Sequence, residues 1–161
     1  MCAFAAIQGN LTMPQSLAAL YIHVVFSTKN REPYITPDLE PQLYAFMHGI
    51  AKNHDCIAWN IGGMPDHTHI LLALHRDRSV FEMVRFLKAN SSKWVHETFP
   101  DRSFAWQNGY AAFSVSASNV AKVQAYIENQ KKNHAKRTFQ EEMRILYTKH
   151  GVEWDERYAW D

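Results

Sequence analysis

Two clusters in the chain carry residue types and spacings suited to chemistry. The first is His67-Thr68-His69, two imidazoles two positions apart at the head of an apolar run, Ile70-Leu71-Leu72. On a strand, alternate side chains share a face, so both rings project one way and Thr68 the other. Imidazole is a common metal ligand, and two on one face make half of a metal site. Alone the pattern is weak, because paired strand histidines more often only hydrogen-bond or face water. The second cluster is Tyr126-Ile127-Glu128-Asn129-Gln130. On a continuous helix, positions i and i+4 share a face, so the Tyr126 hydroxyl and the Gln130 amide are expected to reach one place.

Together the clusters describe a reaction. A glutamine carbonyl oxygen is a hard donor, and with two histidines it forms a neutral ligand set. That set suits Mg²⁺ or Mn²⁺ and leaves the cation's charge for a phosphate. Such a metal polarises a phosphoryl group and orients it for in-line attack. A tyrosine nucleophile leaves a covalent phosphotyrosine that can be rejoined, whereas attack by water discards the linkage. The expected metal ligands are therefore His67, His69 and Gln130, and the expected catalytic residue is Tyr126. Tyr126 sits about 100° around the helix from Ile127, on the shoulder of the stripe formed by Val120, Val123 and Ile127. A tyrosine that only packs there would leave a metal-dependent phosphoesterase as the alternative.

The elements that must position these residues follow from periodicity. Residues 20–28 are rich in β-branched and aromatic side chains and read as a strand. Residues 39–53 show helical spacing, and 56–61 and 67–74 read as strands joined by a hairpin connection over 62–66. Ser79 is a helix N-cap for a stripe of Val80, Val84, Leu87, Ser91 and Trp94, which ends before Pro100. A strand over 110–116 precedes a third helix capped by Ser118 or Asn119. Thr138 and Glu141 make a capping box for a fourth helix, stopped at Gly151. The order β-α-β-β-α-β predicts an α+β, ferredoxin-like (split β-α-β) antiparallel sheet with helices on one face and added C-terminal helices. Residues 1–16 are expected to be a flexible leader without the basic start of a signal peptide, and 17–161 a single domain.

Four ordered segments carry a resemblance: IGGMPDHTHILLAL, FLKANSSKWV, FAWQNGYAAFSVS and YIENQKKNHAK. They resemble the single-tyrosine HUH transposases of small insertion sequences and their relatives, the REP-associated tyrosine transposases, over roughly residues 17–160. The resemblance implies that His67 and His69 are the metal-binding histidines of the HUH motif, Tyr126 the nucleophile and Gln130 the third ligand. Thr68 departs from the nominally hydrophobic middle position, but it points off the metal face. The resemblance further implies a homodimer with merged sheets, in which the tyrosine helix can serve the partner's metal site. It also implies action on single-stranded DNA with hairpin ends through a 5′-phosphotyrosine. A non-catalytic or domesticated hairpin-DNA-binding protein is the second alternative.

Seventeen basic against sixteen acidic residues give a net charge of +1, so any DNA footprint must be local. Lys122, Lys131, Lys132, Lys136 and Arg137 crowd the tyrosine helix and its exit. Such a cluster either neutralises phosphates or complements a solvated helix C-terminus. Arg85, Lys88 and Ser92 form a polar stripe on the second helix, and Lys29 and Arg31 follow the first strand; these are expected hairpin contacts. Trp106 and Tyr110 are of the type that stacks on bases, although aromatics beside a strand are more often core. The RNP-type aromatic pattern of RNA-recognition sheets is missing. Apolar residues at 47% and charged residues at 20% fit a globular chain. No apolar run approaches the roughly 18 residues of a membrane span. Cys2 and Cys56 make no disulfide framework, which fits a reducing cytosol, and with the resemblance to transposases this implies a cytoplasmic, nucleoid-associated location.

Overall fold

The computed structural model describes residues 16–160, so the expected leader lies, Ser16 apart, outside the described residues. Four antiparallel strands form one sheet in the order β2-β3-β1-β4: β1 Tyr21–Ser27, β2 Ile57–Met64, β3 His67–Ala73 and β4 Ala111–Val115. With α1 (Glu40–Asn53) between β1 and β2, and α2 (Val80–Thr98) between β3 and β4, this is the expected ferredoxin-like arrangement. Three further helices follow: α3 Val120–Glu128, α4 Gln130–His134 and α5 Phe139–His150.

Strand alternation divides the molecule into two layers around the sheet. Val24 and Phe26 of β1, with Ile70 and Leu72 of β3, pack against Leu43 and Met47 of α1 and Leu87 of α2. Val25 of β1 and Phe113 of β4 meet Phe139 and Met143 of α5, while Leu71 meets Val120 and Ile127 of α3. The starts of α2 and α5 are sealed by capping boxes, Ser79 with Glu82 and Thr138 with Glu141. Gly151, in the left-handed conformation at φ 65°, ends α5.

Three expectations change. Gly62, Gly63 and Met64 belong to β2, so the hairpin connection shrinks to Pro65-Asp66. Gly62 is paired with His69, and a Cβ there would lie 2.6 Å from the Ile127 carbonyl oxygen. Glycine at this point is therefore a close-approach residue that seats α3 on the sheet, rather than a turn breaker. The tyrosine helix also does not run unbroken to Gln130. Asn129, at φ −96° and ψ 16°, separates α3 from α4, and its side-chain amide folds back onto the Ala125 carbonyl at 2.8 Å. Neither Ser118 nor Asn119 caps α3 through its side chain; a short 3₁₀ turn over Ala117–Asn119 leads into it instead.

Candidate functional site

β3 projects His67, His69 and Leu71 toward the C-terminal helices. Both histidines are buried, at 1% and 0% exposure. Their outer nitrogens are already engaged. His67 Nδ1 lies 2.7 Å from Asp66 Oδ1, and His69 Nδ1 lies 2.9 Å from His23 Nε2 on the neighbouring strand. With Nδ1–H donating in each ring, Nε2 keeps its lone pair and faces inward, the way outer partners orient histidine ligands. Burial first, then the neighbouring His69, push His23 down to about 3, which keeps it neutral. Burial likewise lowers His69. Asp66 is fixed in turn by Arg31, whose guanidinium reaches it at 3.0 Å.

Opposite the strand, α3, α4 and α5 converge on one carboxylate, Glu142. Its Oε1 accepts hydrogen bonds from the Tyr126 hydroxyl and from Gln130 Nε2, the latter at 2.9 Å. Its Oε2 accepts from His134 Nε2 at 2.7 Å, and His134 Nε2 in turn lies 3.1 Å from His67 Nε2. His69 Nε2 is 3.5 Å from Oε1, and His67 Nε2 is 3.7 Å from Oε2. Burial alone would raise the Glu142 carboxyl, but the hydrogen bond from His134 and the closeness of the His69 ring pull it well below the usual carboxylate range. Glu142 is the ionised member of the cluster. Its hydrogen bond raises His134, while burial and then its charge hold the Tyr126 phenol well above its ordinary value.

Two polar atoms at this centre are buried without a hydrogen-bond partner: His69 Nε2 and Gln130 Oε1. An unmade hydrogen bond in a dry site costs about 1–3 kcal/mol, so paired orphans call for an explanation. Both are good donors to a divalent cation, and both belong to the ligand set expected from the sequence. One ligand atom each from His67, His69, His134 and Glu142 also lie within 4.8 Å of one another. These residues fit a metal ion.

The expected site residues are thus brought together within one chain. Tyr126 packs edge-on to His69 at 5.8 Å between ring centroids, and Tyr126 and Gln130 meet at Glu142 despite the break at Asn129. Sequence reasoning missed His23, His134 and Glu142. His134 follows Gln130 by one helical turn and was open to the same i, i+4 reading. Glu142 hides behind the capping-box Glu141, and no local spacing ties it to His67.

The expected DNA contacts fall into separate groups. Arg31, Lys136 and Arg137 border a hollow on the His67 side, and Lys122 and Arg137 border another beside Tyr126. Arg85, Lys88 and Ser92 line a groove with Trp106 and Tyr110 on the α2 side of the sheet. There Lys88 Nζ donates to the carbonyls of Gln107, Asn108 and Gly109 at 2.8, 3.1 and 2.5 Å. Trp106 is core, with Nε1 bonded to Ser91 Oγ at 2.9 Å, whereas Tyr110 is exposed. Lys131 pairs with Glu40 of α1 at 3.1 Å, and Lys29 and Lys132 are exposed.

A split β-α-β sheet whose histidine strand faces a helix-borne tyrosine defines a class of DNA-processing domain. Over residues 16–130 the chain matches the family described as "Transposase IS200 like". It belongs to this family of single-tyrosine transposases. The ISDra2 transposase TnpA of Deinococcus radiodurans is 25% identical over 117 residues, 69% of this chain and 84% of that one. The transposase for insertion sequence element IS200 of Salmonella typhimurium is 27% identical over 114 residues, 67% and 74% of the two chains. A crystal structure of a Deinococcus radiodurans protein assigned as a transposase superposes with a TM-score of 0.58 at 25% identity, covering 73% of this chain and 98% of that one. A REP-associated tyrosine transposase bound to a REP hairpin shares the fold, with a TM-score of 0.54 at 13% identity over 77% and 72%. Among the described residues, no helix is long and apolar enough to cross a membrane.

Proposed function

We propose that this protein cleaves and rejoins single-stranded DNA by transesterification, forming a 5′-phosphotyrosine on Tyr126. The observation that carries this reading is the pair of uncommitted buried atoms, His69 Nε2 and Gln130 Oε1, beside a tyrosine hydroxyl. His67, His69 and Gln130 would hold Mg²⁺ or Mn²⁺, which supplies charge neutralisation and polarisation at the scissile phosphate. Tyr126 forms the new O–P bond with its hydroxyl oriented by Glu142 Oε1, and the phenol proton leaves to solvent. The phosphodiester P–O3′ bond breaks, and the departing 3′ oxygen takes up a proton. Reversal by a 3′ hydroxyl reseals the strand and returns a proton to the phenol.

His23 and Asp66 support the reaction by holding the imidazoles in one tautomer. The REP hairpin held by the structural neighbour supports a hairpin-ended strand as substrate, and the IS200 relatives support a role at insertion-element ends; both fit a cytoplasmic, nucleoid-associated protein. A homodimer remains part of the proposal. Within it the contact between Tyr126 and its own chain's histidines supports cis action.

The test is incubation with a hairpin-bearing single-stranded oligonucleotide and Mn²⁺, followed by denaturing electrophoresis. A covalent protein–DNA adduct is expected from the wild type and none from Tyr126→Phe. A free 5′-phosphate product without adduct would return the phosphoesterase reading. Hairpin binding with no cleavage would return the domesticated one. Mixing His67→Ala with Tyr126→Phe chains separates cis from trans: cis action predicts no recovered adduct.

A further inference from the structure

Beside Tyr126 lies a hollow of about 340 Å³, enclosed between β4, α3 and α5. We propose that it seats the nucleotide that stays joined to Tyr126 after cleavage; this deepens the transposase reading and rests on it. Tyr126 and Glu142 form its inner end, and Val115, Val123 and Leu146 supply apolar wall. Lys122, Arg137 and Lys149 border it as well, and none of the three pairs with a carboxylate among the described residues. Glu142 is the one carboxylate lining it, and its two oxygens are already taken by Tyr126, Gln130 and His134. The hollow therefore presents apolar wall under an uncompensated positive rim. That chemistry matches a nucleoside carrying phosphate: the base and sugar meet the wall, and the phosphates meet the cations.

Size and direction agree. The volume falls within the range of small-ligand sites, about 300–1,000 Å³, and suits one nucleoside rather than a duplex. On the His67 side a wider hollow of about 670 Å³ carries Arg31 and Lys136, and Arg137 borders both. A single strand thus has a basic path across the centre, with one narrow seat and one broad outlet. In-line attack places the leaving oxygen opposite the phenol. The leaving strand therefore departs away from Tyr126, while the nucleoside on the retained 5′ oxygen stays beside it.

The test measures binding of a fluorescein-labelled 20-nucleotide oligothymidylate by anisotropy, with the full chain in EDTA. Lys149→Glu changes an exposed rim charge, Ile145→Trp fills the hollow without changing charge, and Lys93→Glu on α2 controls for charge alone. Lys149→Glu should weaken binding about tenfold and lower the salt slope by about one unit. Ile145→Trp should weaken binding about fivefold, and Lys93→Glu less than twofold. Deoxythymidine 5′-monophosphate should displace the probe at about a tenth of the concentration that inorganic phosphate needs.

Equal effects of Lys149→Glu and Lys93→Glu, or wild-type binding by Ile145→Trp at unchanged melting temperature, would overturn the seat. Equal competition by inorganic phosphate would remove the nucleoside from it. A wild-type adduct alongside unaltered variants sinks the seat and spares the transposase reading. The predicted binding losses without any wild-type adduct do the reverse.

Discussion

One strand, β3, contributes to two opposite interiors. Thr68, Ile70 and Leu72 enter a layer built with α1 and α2, where Leu43, Met47, Met83 and Leu87 are buried and the contacts are apolar. One residue out of phase, His67 and His69 enter a layer that buries His23, Gln130 and Glu142 as well. The first interior is stabilised by removing hydrocarbon from water, and its one unpartnered buried polar atom among the described residues, the Tyr44 hydroxyl, is a phenol and not a ligand atom set beside others. The second desolvates a carboxylate and several imidazoles, recovers part of that cost in hydrogen bonds, and leaves two ligand atoms unmatched. The same backbone thus carries a mainly apolar interior on one side and, on the other, a polar centre set beside the apolar contacts of α3 and α5.

The largest expected effect tests the apolar side. Leu72→Ala should lower unfolding free energy by about 2–5 kcal/mol in urea titrations. Any adduct formed by the folded fraction should keep its wild-type rate. A proportional loss of rate would show that the two interiors are coupled. Gly62→Ala comes next and probes the joint between sheet and tyrosine helix. The added methyl meets the Ile127 carbonyl, a backbone atom that moves only if α3 moves. Overpacking of this kind costs about 1–3 kcal/mol. Here it should also displace Tyr126 and depress adduct yield more than the stability loss explains. Equal losses at Gly62 and Leu72 would erase the distinction between the faces.

What the sequence reveals follows the same division. Strand alternation and helical stripes made β1, β3, α1 and α2 readable, because each buries a periodic apolar set that local spacing records. His67, His69, Tyr126 and Gln130 were legible as two local pairs. Their convergence on Glu142 was not, since it depends on α5 folding back across the sheet after the turn at Ala135–Arg137. The break at Asn129 was also hidden: an asparagine in a helical pattern signals a cap only when its side chain turns onto the backbone, as it does toward Ala125. Gly62-Gly63 reads as a turn because glycine marks turns and close approaches alike, and only the long-range position of the Ile127 carbonyl at Gly62, with the cross-strand His67 carbonyl at Gly63, separates the two.

Adding metal should sharpen the comparison by acting on the polar side alone. At Mn²⁺ about ten times its dissociation constant, binding to the native state contributes about 1.4 kcal/mol. The wild type and Leu72→Ala should gain the same increment in melting experiments. His69→Ala should gain much less, since one of the two unmatched ligand atoms is gone. An equal gain in all three proteins would place the ion elsewhere.

The smallest effect concerns the one lysine tied into the α2 side. Burial pushes Lys88 down to about 8, although its ammonium holds three carbonyls of the segment leading into β4. An unfolded lysine titrates near 10.4, roughly. Between those values the unfolded chain holds more proton than the folded one, so the folded state gains stability as pH rises from about 8 and loses it as pH falls back. Lys88 is partly exposed, so solvent screening keeps the change small. The stability difference between wild type and Lys88→Met should therefore widen in favour of wild type from pH 8 to pH 10. A flat difference would mean that the ammonium stays solvated. The dry character of the α2 side would then end at Leu87 rather than extending to the clasp.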